Sequence, residues 1–294
     1  MEKQIIFKGL CTALVTPMKD GKVDYGSLEK LIEFQIEQGV DALLLLGTTG
    51  EASTLTPAEK REVAKQAKTM IGGRTKYILG CGANDTAAAL RLGENALDFG
   101  ADATLVVTPY YNKGTEEGVV QHHLTLAEKI PLPQILYHVP SRTGVRFTLH
   151  QLRELSQHPN IVAMKEAHSD IDFLQDAMHT TGDALSYYAG NDSLAIPTLS
   201  LGGMGLISVI SNILPKEMGD ILRLFWAGKR EEYLLLHKKL LPLMRLLFAE
   251  TNPAPIKQAL AFLGFGENEL RLPMTKVTSA LAEKIQTELK NLRK

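Results

Sequence analysis

The 294-residue chain has only two cysteines, Cys11 and Cys81, and a single tryptophan. Each cysteine falls inside a strand-like segment, so core thiols are expected rather than a disulfide or a metal pair. An excess of either charge is missing too. The formal net charge is −1, which leaves no basic surplus for nucleic acid or anionic lipid. No apolar run approaches the ~18 residues of a membrane span. The opening residues Met1-Glu2-Lys3-Gln4-Ile5-Ile6-Phe7 lack the apolar core and small-residue cleavage site of a signal peptide. These absences point to a reducing cytoplasm. No low-complexity linker interrupts the chain.

What the chain does have is alternation. With 45% apolar and 22% charged residues it can bury a sizeable core. Short β-branched or leucine-rich runs recur eight times: Leu10–Thr16, Ala42–Leu46, Tyr77–Gly80, Ala103–Thr108, Gln134–Val139, Ile161–Lys165, Leu185–Ala189 and Gly205–Ile210. Most are apolar throughout, as strands buried on both faces must be. Helix-length amphipathic segments separate them, among them Tyr25–Gln38, Pro57–Ile71, Thr86–Phe99 and Glu116–Ile130. Gly39 and Gly100 mark helix ends, and Thr56-Pro57-Ala58-Glu59 has the pattern of a capping box with proline in the first turn. Eight strand–helix units predict an α/β chain, a (β/α)₈ TIM barrel, with an open doubly wound sheet as the other architecture. After an eighth helix, Pro215–Ala227, only helix follows: Glu231–Phe248, Ala254–Leu263 and Thr275–Leu292. The expected division is a catalytic barrel over residues 1–228 and a C-terminal helical extension over 229–294, packed on the barrel and offering an oligomer surface.

In such a barrel the chemistry sits at the C-terminal ends of the strands. Lys165 ends the run Ile161-Val162-Ala163-Met164-Lys165. An ammonium there is costly unless paired, and burial favours the neutral amine, a nucleophile for ketones and aldehydes. The plain alternative is a lysine that reaches out to water or pairs with Glu166. Strand two ends in Gly47-Thr48-Thr49-Gly50-Glu51, two hydroxyl donors between glycines that let backbone N–H groups approach an anion. Strand four ends in Thr108-Pro109-Tyr110-Tyr111-Asn112, and strand five in Tyr137-His138-Val139-Pro140-Ser141-Arg142-Thr143-Gly144. Phenols both donate and accept, so tyrosines around an amine suit a proton relay, and Arg142 offers a fork for a carboxylate. Strands seven and eight bring Gly190-Asn191-Asp192 and Ile207-Ser208. Two patterns fail. Gly80-Cys81-Gly82 lacks the third glycine of a dinucleotide fingerprint, and the adjacent His122-His123 has no acidic or cysteine partner for a metal.

Taken together and in this order, these motifs resemble the pyruvate-dependent aldolase family that includes dihydrodipicolinate synthase and N-acetylneuraminate lyase, over essentially the whole chain. The resemblance implies a Schiff base between Lys165 and pyruvate, with Tyr137 passing protons in concert with Thr49 and Tyr111. It implies that Thr48 and Thr49 hold the pyruvate carboxylate and that Arg142 holds the carboxylate of L-aspartate 4-semialdehyde. The carbonyls of Gly190 and Ile207 would line the pocket. Tyr111 would serve a neighbouring subunit's site, in a homo-oligomer that is a tetramer built from tight dimers. No metal or organic cofactor is implied, and the step would belong to lysine and diaminopimelate synthesis.

One departure bears on regulation. Lysine-inhibited members carry histidine and glutamate around a groove at the tight dimer interface. Here the register gives Ala52, Pro57 and Lys60 along one wall and Ala88 at the acidic position, with Asn84 and Tyr110 retained. Weak or absent inhibition by L-lysine is therefore expected. The competing functional readings are an aldolase of the same family acting on a sugar acid, a non-catalytic keto-acid sensor, and a phosphate-binding barrel isomerase. Arg142 and the paired Tyr110-Tyr111 favour the short acidic aldehyde over the sugar acid.

Overall fold

Strands enclosed on both faces need mostly apolar side chains, and eight segments of the chain meet that condition. A computed structural model describes residues 5–292. Met1–Gln4, part of the stretch read for a signal peptide, and Arg293-Lys294, the end of the extension, lie outside the described residues. The strands are β1 (Gly9–Ala13), β2 (Ala42–Leu45), β3 (Lys76–Gly80), β4 (Ala103–Val107), β5 (Gln134–His138), β6 (Ile161–Glu166), β7 (Ser186–Ala189) and β8 (Gly205–Ser208). They close in the order β1-β8-β7-β6-β5-β4-β3-β2, the (β/α)₈ TIM barrel that the alternation predicts, rather than an open sheet.

Five strands stop short of their expected runs, and β1 and β8 do so by two residues or more. Leu14 still donates its N–H to the Leu44 carbonyl of β2 (2.9 Å), but Val15 and Thr16 take other partners: Val15 N donates to Asn212 Oδ1 (3.1 Å) and Thr16 Oγ1 to the Gly50 carbonyl (2.7 Å). The run after Ser208 turns into a single 3₁₀ turn, Ile210–Asn212. One element goes unread in the pattern, an antiparallel hairpin pairing Met18–Lys19 with Lys22–Val23. Its turn residues Asp20 and Gly21 both take positive φ (51° and 74°), the Asp-Gly signature of a tight hairpin turn. The capping box at Thr56 and Glu59 forms as expected, and Gly39 and Gly100 adopt positive φ past their helices. Both cysteines are buried thiols, and burial pushes Cys81 up to about 12, which leaves it inert at neutral pH.

By contact density the chain resolves into two compact units. The first comprises the residues up to Lys8 with Lys76–Ile207. Its outward strand faces, carrying Leu136, Met164 and Tyr187, join a buried apolar layer with Val119, Phe147, Leu152 and Leu174. The second comprises Gly9–Thr75 and Ser208–Lys294. It holds β1, β2 and the C-terminal helices Arg230–Leu246, Ala254–Phe262 and Ser279–Leu292. Helix Arg230–Leu246 packs on helix Pro215–Trp226, and Ser279–Leu292 packs on both other C-terminal helices.

Candidate active site

In the first unit, register decides which side chains meet. Tyr137 on β5 stands level with Lys165 on β6 and Tyr188 on β7, and His138, Glu166 and Ala189 form the next row. Side chains alternate across a strand, so the two rows face opposite ways. His138 and Glu166 share the outward face of Leu136 and Met164, while Lys165 and Tyr137 share the other. Lys165 is 5% exposed, and its Nζ lies 4.5 Å from the centre of the Tyr137 ring. A desolvated cation over an aromatic face gains about 2 kcal/mol. Among the described residues no carboxylate pairs with this amine.

The plain alternative, a Lys165–Glu166 pair, is therefore ruled out by strand geometry. Glu166 Oε2 lies 2.7 Å from His138 Nδ1, with both side chains buried, and Glu166 Oε1 accepts the His168 N–H at 2.7 Å. The Phe147 N–H donates to His138 Nε2 (3.3 Å), which places the ring proton on Nδ1, facing the carboxylate. This dyad ties β5 to β6 directly behind Tyr137 and Lys165. It escapes a strand-by-strand reading, although setting Tyr137 level with Lys165 brings His138 and Glu166 together.

The remaining first-unit residues lie at strand ends. Thr108 is fully buried, its hydroxyl donating to the Tyr137 carbonyl at 3.3 Å. Tyr111 is 89% exposed on a left-handed backbone (φ 73°). Arg142 is exposed on a single helical turn, Pro140–Thr143, which Gly144 closes at φ 68°. Gly190 donates its N–H to the Glu166 carbonyl at 2.6 Å. A Cβ there would lie 2.7 Å from the Ala167 Cβ and 2.8 Å from that carbonyl, so only glycine lets the chain pass. Ile207 is fully buried in β8. His122 and His123 bond separately, to Thr86 Oγ1 (3.0 Å) and to Gln134 Nε2 (3.2 Å). No cluster of three metal-ligating side chains occurs among the described residues.

In the second unit the Gly47–Glu51 loop follows β2, with Leu46 and Glu51 both in left-handed backbone (φ 56° and 52°). Each such residue costs on the order of 1 kcal/mol, so the loop needs fixing from outside. Thr48 is half-buried and Thr49 buried. Asn252 Nδ2 donates to Thr49 Oγ1 at 3.0 Å, and Lys257 Nζ pairs with Glu51 Oε1, both side chains almost fully enclosed. Burial pushes the Lys257 amine down while the Glu51 carboxylate opposes that shift. Arg271 donates its backbone N–H to Glu51 Oε2 (3.4 Å) and grips Glu59 with two guanidinium bonds, 2.5 and 2.8 Å. That fork holds the Glu59 carboxyl at about 2. Nothing in the local sequence marks Asn252 or Lys257, because each lies more than 200 residues from its partner.

The model of the dihydrodipicolinate synthetase family matches residues 6–292. The chain belongs to this family. A 4-hydroxy-tetrahydrodipicolinate synthase of Syntrophus aciditrophicus is 42% identical over 286 residues, covering 97% of this chain and 98% of that one. A solved dihydrodipicolinate synthase from Aquifex aeolicus superposes with a TM-score of 0.96 at 40% identity, covering 98% of each chain. A solved monomeric dihydrodipicolinate synthase variant gives a TM-score of 0.95 at 40% identity, over 97% of this chain and 96% of that one. As a member of the dihydrodipicolinate synthetase family, the chain is an enzyme of the lyase class. Among the described residues no helix is long and apolar enough to cross a membrane.

Proposed function

We propose that the chain condenses pyruvate with L-aspartate 4-semialdehyde through a Schiff base on Lys165, as 4-hydroxy-tetrahydrodipicolinate synthases do. The observation that carries this is the buried Lys165 amine, without a carboxylate among the described residues and set over the Tyr137 ring. A lysine held for structure alone would be paired. The ring face that shelters an ammonium equally shelters the iminium cation that follows it.

The neutral amine attacks the pyruvate ketone, and loss of water leaves the iminium. That cation draws electrons from the methyl group, and a proton leaves to give an enamine. The enamine carbon adds to the aldehyde, whose oxygen takes up a proton. The amino group of the semialdehyde then attacks the imine carbon and displaces Lys165, closing the ring, so one water is released overall. Tyr137 moves the protons, together with Thr49 and a neighbouring subunit's Tyr111. Thr48 and Thr49 donate to the pyruvate carboxylate, Arg142 forks the carboxylate of the semialdehyde, and the Gly190 and Ile207 carbonyls line the pocket. Every step is a proton transfer or an addition–elimination, and none calls for a metal or an organic cofactor. The exposure of Tyr111 supports a shared site in a tetramer of tight dimers. The setting we infer is the cytoplasm, in lysine and diaminopimelate synthesis.

The test is to mix the protein with pyruvate and borohydride and to map the reduced adduct. Modification of Lys165, with turnover of the semialdehyde, is the expected result. A folded protein whose Lys165 stays unmodified would overturn the Schiff base, and turnover of N-acetylneuraminate instead would overturn the substrate.

A further inference from the structure

Asn252 and Lys257 flank the first turn of helix Ala254–Phe262, and both reach the Gly47–Glu51 loop. Lys257 anchors Glu51, the residue whose left-handed backbone ends the loop. Asn252 acts two residues earlier, on the hydroxyl of Thr49. A threonine hydroxyl has one proton and two lone pairs. The Asn252 amide N–H occupies a lone pair of Oγ1 and cannot receive the proton, so the O–H must point away from it. Among the described residues that proton has no acceptor.

We propose that Asn252 is a positioning residue that locks Thr49 as a hydrogen-bond donor to the substrate carboxylate. This rests on the reading of Thr49 as a pyruvate ligand. A carboxylate only accepts, so a hydroxyl committed to donation is complementary to it before binding. A freely rotating hydroxyl would lose part of that advantage to its other orientations. The C-terminal extension thereby takes part in substrate binding through a residue that touches no substrate.

The enzyme with Asn252→Asp, Asn252→Ala, Thr49→Val and each Asn252 substitution combined with Thr49→Val tests this. Aspartate has the shape of asparagine but only accepts, so it turns the Thr49 proton toward itself. The expected result is a loss in kcat/KM for pyruvate of about 100-fold in N252D and about 10-fold in N252A, carried mainly by KM. In the T49V background neither substitution at 252 should cost more than about 2-fold. A purely structural role predicts losses at 252 that persist undiminished in T49V, because burying a carboxylate or opening a cavity at this enclosed position costs the same whatever residue 49 is, and that result overturns the proposal. Should N252D fail to fold, as thermal unfolding would reveal, the N252A and T49V cycle alone decides by the same criterion. Borohydride trapping on the unaltered enzyme separates the two readings: its failure removes the Schiff base, whereas additive losses alongside normal trapping remove only the role of Asn252.

Discussion

Among the described residues two lysines are buried, one in each compact unit, and their surroundings are opposite. Lys257, 2% exposed, closes on the Glu51 carboxylate, whereas Lys165, 5% exposed, meets a tyrosine ring and no carboxylate among the described residues. Charge pairing makes the first amine a fixture of the fold. On the mechanism proposed above the second is the nucleophile, which would account for burying an amine without a carboxylate partner. Lys165→Met should break this contrast most severely. Turnover is expected to fall by about 10⁴-fold or more, with adduct trapping abolished, while thermal unfolding stays level or moves upward because a buried amine without a carboxylate partner has been replaced by a thioether of similar size. A marked loss of stability would mean that Lys165, too, is structural.

Lys257→Met should do the opposite. It strands the Glu51 carboxylate in a site from which water is excluded, and a loss of about 3–5 kcal/mol in unfolding free energy is expected. Adding Glu51→Gln to the same chain removes the stranded charge, and most of that loss should return. A double variant as unstable as K257M would show that packing of the lysine stem, not charge pairing, is what the site needs.

The wetter neighbour of this pair sharpens the point. Arg271 forks Glu59 at the edge of the same loop, and its guanidinium lowers that carboxyl from 4.5 to about 2. A depressed carboxyl contributes stability that is fully present above its unfolded value and is lost as the pH falls through the folded one. The wild type should therefore lose this contribution between pH 4.5 and about 2, and Glu59→Gln should flatten that part of the unfolding curve. Because the pair is partly exposed, the difference should be smaller than for K257M and should shrink in salt. Parallel acid curves for both proteins would dissociate Glu59 from acid stability.

The same contrast explains what could be read from the sequence. A strand enclosed on both faces leaves an unbroken apolar run, so the eight barrel strands and the lone lysine at the end of the sixth were visible. The ends of β1 and β8 were not, because Val15-Thr16 and Val209-Ile210 remain apolar or small while the chain turns to other partners. Asp20-Gly21 carried a hairpin signal that the short flanking strands obscured. The His138–Glu166 dyad depends on register between neighbouring strands, which no single strand encodes. Asn252 and Lys257 act on residues more than 200 positions away, and such pairs emerge only once the barrel has closed.

A third lysine supplies the smallest effect. Lys60 is half-buried on helix Pro57–Ile71, and burial pushes its amine below the usual lysine range. In lysine-inhibited relatives, by resemblance, this stretch lines a groove for the free amino acid, with an acidic group for its amine. This chain offers Ala52, Pro57 and Lys60, and Ala88 where the carboxylate would stand. Unlike Lys257, a lysine ligand would find no charge partner at position 88 and would face a like charge at 60 if that amine is protonated. Lysine at about 1 mM, the level of a Kd worth about −4 kcal/mol, should leave turnover essentially unchanged. Ala88→Glu combined with Lys60→Ala supplies the carboxylate and removes the like charge, and should confer measurable inhibition at that concentration. Strong inhibition of the unaltered enzyme below 1 mM would refute the reading, because the free lysine would then have found a counter-charge other than the one missing at Ala88.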